Sequence, residues 1–132
     1  MSGSEIASPQ TTIRVLTTYF EPLAALDAHR IAAVFAEDGE IEDPVGSGVR
    51  RGREQISDYF AQGLCRGAAS VEIEVVSALP AGGSIAAHWR MNARGKSGLD
   101  ATAEGIDVLQ VGTDGLIIRA EGYWDQMVSA EP

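Results

Sequence analysis

Basic residues, cysteine and long apolar runs are all scarce in this chain of 132 residues. Ten Lys and Arg stand against nineteen Asp and Glu, and the net charge of −9 disfavours binding to nucleic acid or to anionic membranes. Cys65 is the single cysteine, which excludes an intrachain disulfide and a cysteine-based metal cluster. The longest apolar run is the six residues Ile31–Ala36, too short to span a membrane. We therefore expect a cytoplasmic protein with neither a membrane nor a nucleic acid as partner.

The remaining composition is that of an ordinary globular domain. Hydrophobic residues make up 45% of the chain and charged residues 22%, which is enough apolar surface to build one core. A length of 132 residues predicts one domain with room for one pocket. We assign residues 1–9 to a mobile N-terminal tail, 10–127 to the domain and 128–132 to a C-terminal tail.

Helical spacing of apolar residues predicts three helices in the first half of the chain. The first covers about residues 10–26, and Pro22 is expected to kink it or to restart it. Asp27 is the predicted N-cap of a second, short helix that ends near Gly39, with Ile31, Val34 and Phe35 on its apolar face. The third covers roughly residues 53–64.

Alternation of apolar and polar residues predicts strands in the rest of the chain. A short edge strand covers residues 40–45, and a loop follows at 46–52. Four longer runs, at 71–75, 85–91, 101–111 and 116–124, are separated by turns of hairpin length. Helices followed by antiparallel strands indicate an α+β fold, in which the helices pack on one face of a curved sheet and can enclose a cavity.

Two acids fall on the buried phase of their strands. Asp43 lies between Ile41 and Val45 on one face, and Asp107 shares its phase with Leu109. Burial of an ionised carboxylate without a partner is costly, and the strand phases point the arginines of neighbouring strands away from both acids. The pattern suggests a cavity whose two carboxyl groups differ in protonation state, although each Asp could instead cap a turn and reach water. Periodicity favours a core position for Tyr19 over a hydroxyl directed into the cavity.

Several stretches of the chain resemble one family. Glu42-Asp43-Pro44-Val45-Gly46 is the most distinctive string, Tyr19-Phe20-Glu21-Pro22 lies upstream, and Ile106-Asp107 follows on a later strand. Together they resemble the bacterial ketosteroid isomerases, or steroid delta-isomerases, of the NTF2-like and SnoaL-like superfamily. The resemblance covers most of the chain and implies a cone of three N-terminal helices on a curved, mostly antiparallel sheet that encloses a pocket.

The resemblance also implies an activity and a set of site residues. A steroid delta-isomerase converts a 3-oxo-Δ5-steroid into the conjugated Δ4 form by moving one proton from C4 to C6 through a dienolate. Asp43 matches the family's general base, while Tyr19 and a protonated Asp107 match the donors to the dienolate oxygen. The substrate would be a small apolar steroid, no metal or cofactor would be needed, and the protein would form a homodimer. The residues expected to contact the steroid are Trp124, Phe35, Phe60, Leu109 and Ala103.

The chain departs from the family pattern at some positions, and other functions stay open. Phe35 and Phe60 stand where some members carry tyrosines that hydrogen bond to the catalytic phenol, so Tyr19 is expected to lack that support. The alternatives are a noncatalytic carrier of a small apolar ligand, or a SnoaL-like cyclase, dehydratase or epoxide hydrolase. Off-phase apolar residues that could form the dimer contact are Val76, Val108 and Ile117.

Overall fold

Helices dominate the first half of the chain and long strands the second. The computed structural model describes residues 6–124 and 128–129. The helices are α1 (Pro9–Ala24), α2 (Ala28–Ala33), α3 (Arg53–Gln62) and α4 (Leu64–Gly67). The strands are β1 (Phe35–Glu42), β2 (Val49–Arg51), β3 (Ala68–Ala81), β4 (Ser84–Gly95), β5 (Asp100–Val111), β6 (Ile117–Trp124) and β7 (Val128–Ser129).

The strands form one curved sheet in the order β2-β1-β6-β5-β4-β3, and β7 pairs with β5. All pairings are antiparallel except that of β1 with β6. The helices pack against this sheet, so the predicted α+β architecture is confirmed. The long β3–β4–β5 meander also agrees with the alternating sequence pattern.

The N-terminal boundary differs from the prediction. Ala7 is buried, the Ser8 hydroxyl accepts a hydrogen bond from the Thr11 amide, and α1 begins at Pro9. Ala7, Ser8 and Pro9 therefore belong to the domain, because the burial of Ala7 and the helix cap at Ser8 hold this segment in place. The helix runs through Pro22 to Ala24 without restarting. The part of the predicted tail at residues 1–5 lies outside the described residues.

The second helix ends six residues earlier than the sequence pattern indicates. Asp27 is the N-cap, as predicted, but α2 ends at Ala33 and Phe35 already opens β1. The Ile117 amide donates to the Val34 carbonyl, which draws the chain into the sheet beside β6. Pairing with β6 thus overrides the helical spacing of the apolar residues. Residues 49–51, which the sequence pattern assigned to a loop, pair with β1 and form β2.

At the start of β6, the side chains point to the faces of the sheet opposite to those that the sequence predicts. Gln110 pairs with Arg119 and Val111 pairs with Ile117, so one extra residue bulges out of β6. The bulge turns Ile117 inward, where it is fully buried, and leaves Ile118 44% exposed. The expectation that Ile117 contributes to a dimer contact is therefore wrong. Two residues assigned to the C-terminal tail, Val128 and Ser129, pair with β5.

The core lies between the helices and the inner face of the sheet. The α1 side chains Val15, Tyr19, Phe20 and Leu23 are all buried against it. Full burial of such a side chain is worth about 1.5–3 kcal/mol, so this single contact face is a major part of the stability of the domain. Within the ranges that the structure describes, no helix combines the length and the hydropathy needed to cross a membrane.

Candidate active site

A cavity of about 360 Å³ separates the helices from the inner face of the sheet. This volume is within the range of small-molecule sites. Its lining combines a few polar side chains with a larger apolar surface. Among the residues of the wall are Tyr19, Asp43 and Asp107, which the sequence assigned to catalysis, together with Tyr59, Phe60, Trp89 and Trp124.

Asp107 lies deep in this cavity, in the middle of β5. It is only 7% exposed, and the Trp89 indole donates a hydrogen bond to Oδ1 at 3.0 Å. Its cross-strand neighbours are Ala87 and Gly122, two small residues that leave space for an inward carboxyl group. Among the described residues, Trp89 is the one hydrogen-bond partner of this carboxyl group.

Asp43 follows the end of β1 and is half-buried. The amide of Val45 donates to the carbonyl of Gly122 at 2.8 Å, which ties this segment to β6 and holds Asp43 over the cavity. Its carboxylate accepts two hydrogen bonds, from Trp124 Nε1 to Oδ1 at 2.5 Å and from the Tyr59 hydroxyl to Oδ2 at 3.1 Å. The same hydroxyl lies 2.5 Å from the main-chain carbonyl of Asp43.

The two carboxyl groups have different surroundings, and this separates their protonation states. Burial, followed by the charge of Asp43, raises the pKa of Asp107 to about 8, and the Trp89 hydrogen bond only partly offsets this. Burial also raises the pKa of Asp43, but the hydrogen bonds from Trp124 and Tyr59 oppose the rise. Since Asp43 has more donors to its charged form, it ionises first and Asp107 keeps its proton at neutral pH.

Tyr19 projects from α1 into the same cavity and is 2% exposed. Its ring makes edge-to-face contacts with Phe20 and Phe35, at centroid distances of 5.2 and 5.9 Å. Burial and then the charge of Asp107 raise the pKa of Tyr19 well above its usual value, so the phenol stays protonated. No hydrogen bond joins its hydroxyl to another of the described residues. A hydroxyl on the cavity wall is available to donate a hydrogen bond to a ligand in the cavity.

Two glycines allow these groups to come together. A Cβ at Gly122 would stand 2.0 Å from Asp43 Oδ1 and 3.2 Å from Asp107 Oδ1. A Cβ at Gly105 would stand 2.7 Å from the Trp124 Cβ and 2.8 Å from the Trp89 ring. Gly122 therefore makes room for the carboxyl groups, and Gly105 makes room for the tryptophans that hydrogen bond to them.

The predicted orientation of the sheet arginines agrees with the structure, but a further cation was missed. Arg119 pairs with Glu40 and Glu121, and Arg90 pairs with Glu104, all away from the cavity. Arg50 comes instead from β2. Its guanidinium lies 4.2 Å from the centroid of the Tyr59 ring, and its charge lowers the pKa of Asp43. The strand phases in the sequence did not reveal this cation, which acts on Asp43.

The structure separates the five expected substrate contacts into two groups. Trp124 and Phe60 are part of the cavity wall. Phe35 and Leu109 are fully buried in the core, and Ala103 packs against the edge of the core. None of these three is among the residues that line the cavity. Phe35 instead supports the Tyr19 ring, because β1 brings it behind α1.

Three contributors to the site were missed by the sequence analysis. Tyr59 fits the apolar stripe of α3, and Trp89 fits the inward phase of β4, so both read as ordinary core residues. Gly122 interrupts an otherwise bulky strand two residues before Trp124, and this is the signal that could have found it. Among the described residues, no three His, Cys, Asp or Glu side chains lie close enough together to hold a metal ion.

Comparisons with known proteins identify the family of this chain. The model of the SnoaL-like domain matches residues 16–120. A steroid delta-isomerase of Nocardioides simplex is 30% identical over 106 residues, which cover 80% of this chain and 83% of the relative. This bears out the resemblance to steroid delta-isomerases seen in the sequence.

Solved structures share the fold at lower identity. The Δ5-3-ketosteroid isomerase of a Mycobacterium species superposes with a TM-score of 0.78 at 19% identity, over 91% of this chain and 98% of that one. SalBIII is an epoxide hydrolase/cyclase-like enzyme with a role in pyran ring formation in salinomycin. It superposes with a TM-score of 0.79 at 23% identity, over 92% of this chain and 97% of that one. The chain thus belongs to the SnoaL-like family of the NTF2-like fold and is a relative of the steroid delta-isomerases.

Proposed function

We propose that this protein is a 3-oxosteroid Δ5-Δ4 isomerase. One observation carries the proposal: two buried proton donors, the Tyr19 hydroxyl and the Asp107 carboxyl group, line the same cavity as the Asp43 carboxyl group, which accepts hydrogen bonds from Trp124 and Tyr59. The curated relative that is 30% identical is a steroid delta-isomerase, which supports the same assignment. Neither a metal nor an organic cofactor takes part.

The difficulty of the reaction lies in the intermediate. A carboxylate is a much weaker base than the dienolate formed when it removes a proton from C4, so the dienolate oxygen must be stabilised. The 3-oxo group of the steroid would accept hydrogen bonds from Tyr19 and from neutral Asp107. A preorganised donor of this kind is worth about 2.7–4 kcal/mol in a site that excludes water.

Asp43 would remove the proton from C4 and return it to C6 on the same face of the steroid. The residue follows the end of β1 and its side chain is the outermost of the three, so its carboxylate can reach both carbons. Trp124 and Tyr59 keep it charged before the reaction. A charged base beside a neutral acid is the division known for ketosteroid isomerases, and it follows here from the different donors around each group.

The structure gives less support to the alternatives. Epoxide opening would require an arginine directed into the cavity between the acids, whereas Arg90 and Arg119 face outward and Arg50 lies over the Tyr59 ring. A noncatalytic carrier would not require a base and two proton donors to line one cavity. We also propose a homodimer, formed through the outer face of the sheet at Val76 and Val108.

The test is a direct assay. The purified protein is incubated with 5-androstene-3,17-dione, and formation of the conjugated enone is followed by ultraviolet absorbance. We expect turnover well above the rate in buffer, and a fall in kcat of about 10²–10³-fold in Tyr19→Phe, which removes one donor. Tyr123→Phe, a change on the exposed outer face, is the matched control. A rate equal to that of the buffer would exclude this function.

A further inference from the structure

The cavity is a long channel that differs in chemistry from end to end. Its sheet wall is formed by alternate residues of β4 from Trp89 to Gly95. At the rise per residue of a β-strand, this part of the wall is roughly 20 Å long. Trp89 marks the inner end, beside Asp107. At the other end, the β4–β5 hairpin supplies Leu99, which is 65% exposed, so the channel opens to solvent there.

All polar side chains of the described wall lie at the inner end. Tyr19, Tyr59, the two acids and the two tryptophans lie together there, as their hydrogen bonds and charge interactions show. The opposite end, which we name the outer section, is formed by Gly67, Ala68, Ala93, Gly95, Leu99 and Ala101. None of these six side chains carries a hydrogen-bonding atom.

Main-chain groups of the outer section already take part in hydrogen bonds of the fold. Ala68 pairs with Gly95 across β3 and β4, and Ala93 pairs with Ala101 across β4 and β5. The Gly95 amide donates to the Leu99 carbonyl at 2.8 Å, and the Gly67 carbonyl accepts from the Lys96 amide at 2.9 Å. A polar group of a ligand beside the buried Ala68 and Ala93 would lose its water without gaining a side-chain partner.

From this division we infer that the substrate carries its single polar group at the reacting end and a hydrocarbon chain at the other. The inference rests on the proposed function and makes it specific: the substrate class is a 3-oxo-Δ5-steroid with an alkyl chain, not an oxygen, on its D ring. The small side chains of the outer section leave space for that chain, which would lie along Ala93 and Ala101 toward Leu99. Each buried CH₂ group is expected to raise the affinity about fourfold.

A matched pair of substrates tests this inference. We compare 5-androstene-3,17-dione with its analogue that carries a 17β-ethyl group in place of the 17-oxo group. We expect kcat/KM of the ethyl compound to be at least about tenfold higher, mainly through KM, since two more carbons are buried and no carbonyl is dehydrated. An equal or higher kcat/KM for the 17-oxo compound would overturn the inference while leaving the proposed function intact.

A binding measurement distinguishes failure of the proposed function from failure of the inference about the hydrocarbon chain. If neither compound is isomerised, the proposed function fails, and the conjugated products of the same pair are titrated instead with tryptophan fluorescence as the readout, since Trp89 and Trp124 line the channel. Tighter binding of the ethyl compound would still support an apolar outer section that selects a hydrocarbon chain. Equal binding, or tighter binding of the 17-oxo compound, would reject it.

A variant locates the effect in the outer section. Ala101→Leu would fill the space, and we expect it to raise KM for the ethyl compound at least about tenfold more than KM for the analogue with no substituent at C17. Thr102→Leu, at the next and outward-facing position of β5, is the control. Circular dichroism checks that each variant folds, and Ala101→Val replaces Ala101→Leu if the larger side chain does not. Equal effects of Ala101→Leu on both substrates would contradict the inference.

Discussion

Carboxylates lie on both faces of the sheet, and the two faces treat them in opposite ways. On the outer face, a hydrogen bond from Arg51 and a second from Arg119 lower the pKa of Glu40. The His88 ring does the same for Glu104, with help from Arg90. On the inner face, burial raises the pKa of Asp43 and of Asp107.

The difference comes from the type of partner. Outer carboxylates are paired with cations in water, where an ion pair keeps both groups charged. Inner carboxyl groups receive neutral donors, the indoles of Trp89 and Trp124 and the Tyr59 hydroxyl. Neutral donors favour the charged form of an acid less strongly than cations do, so burial remains the largest influence on the pKa of both inner acids. The comparison shows that cations keep carboxylates charged on the outer face, whereas burial raises the pKa of the same residue class on the inner face.

The largest effect is expected for Asp43→Asn. Loss of the base removes the group that carries the proton, and kcat should fall by about 10³-fold or more. The measurement is the enone assay with the melting temperature as a check on folding. Glu104→Gln removes a carboxylate from the outer face and should leave kcat unchanged. Equal losses in both variants would break the distinction between the faces.

Gly122→Ala tests whether activity requires the close approach of the inner acids to the main chain at Gly122. The added methyl group would stand 2.0 Å from Asp43 Oδ1, so the carboxylate must move. Misplacement of a reacting group by about 1 Å can reduce the rate roughly 10²-fold, and we expect a loss of that size in kcat. Gly112→Ala, in the β5–β6 turn, is the control, because its methyl group would meet the Asp114 carboxylate at 3.0 Å and the Ile118 side chain at 3.5 Å, neither of which lines the cavity. Full activity of Gly122→Ala would show that the close approach is dispensable.

Asp107→Asn tests whether the inner acid must carry a proton. Because the pKa of Asp107 is raised to about 8, the activity of the parent should decline as pH rises through that value. Asn donates a hydrogen bond at every pH, so the variant should lose this decline, while its weaker donor lowers kcat about tenfold at pH 6. A pH–rate profile of each protein is the measurement. Survival of the alkaline decline in Asp107→Asn would assign it to another group.

The same substitution has a consequence for stability. The pKa of Asp107 is higher in the folded chain than the value of about 3.9 in an unfolded one, so the folded state binds more protons between these limits. The free energy of unfolding should therefore fall as pH rises from about 4 to about 8 and change little above that. Asp107→Asn should raise the melting temperature more at pH 9 than at pH 5. The opposite order would contradict the assignment.

The smallest effect is expected for Tyr59→Phe. Loss of the hydroxyl removes a donor to Asp43 Oδ2, so the pKa of Asp43 should rise further and the acidic limb of the pH–rate profile should move to higher pH. Near neutral pH we expect kcat/KM to fall by about threefold to tenfold, because Trp124 still holds the carboxylate. An unchanged acidic limb would show that Tyr59 only positions the main chain at Asp43.

The sequence predicted the order of the elements better than their ends. Strand alternation located the β3–β4–β5 meander and the inward phase of Asp107, because a two-residue period depends only on local burial. It misplaced the end of α2 and the phase at the start of β6. The end of α2 depends on the pairing of β1 with β6, whose residues are far apart in the chain, and the start of β6 depends on a bulge; neither leaves a local pattern in the sequence.

The sequence by itself determined the inward phase of Asp107 and the family of the chain, because strand phase and a short motif are local properties. Asp43 lies beyond the end of β1, so its position over the cavity depends on the tie of Val45 to β6. Only the tertiary structure decided how the two acids behave. It brought Trp89, Trp124 and Tyr59 to the carboxyl groups and placed the Tyr19 hydroxyl on the wall of the same cavity. It also gathered the small apolar residues of the outer section at the far end of the channel. Protonation and specificity depend on distances between elements remote in the chain, and only packing sets those distances.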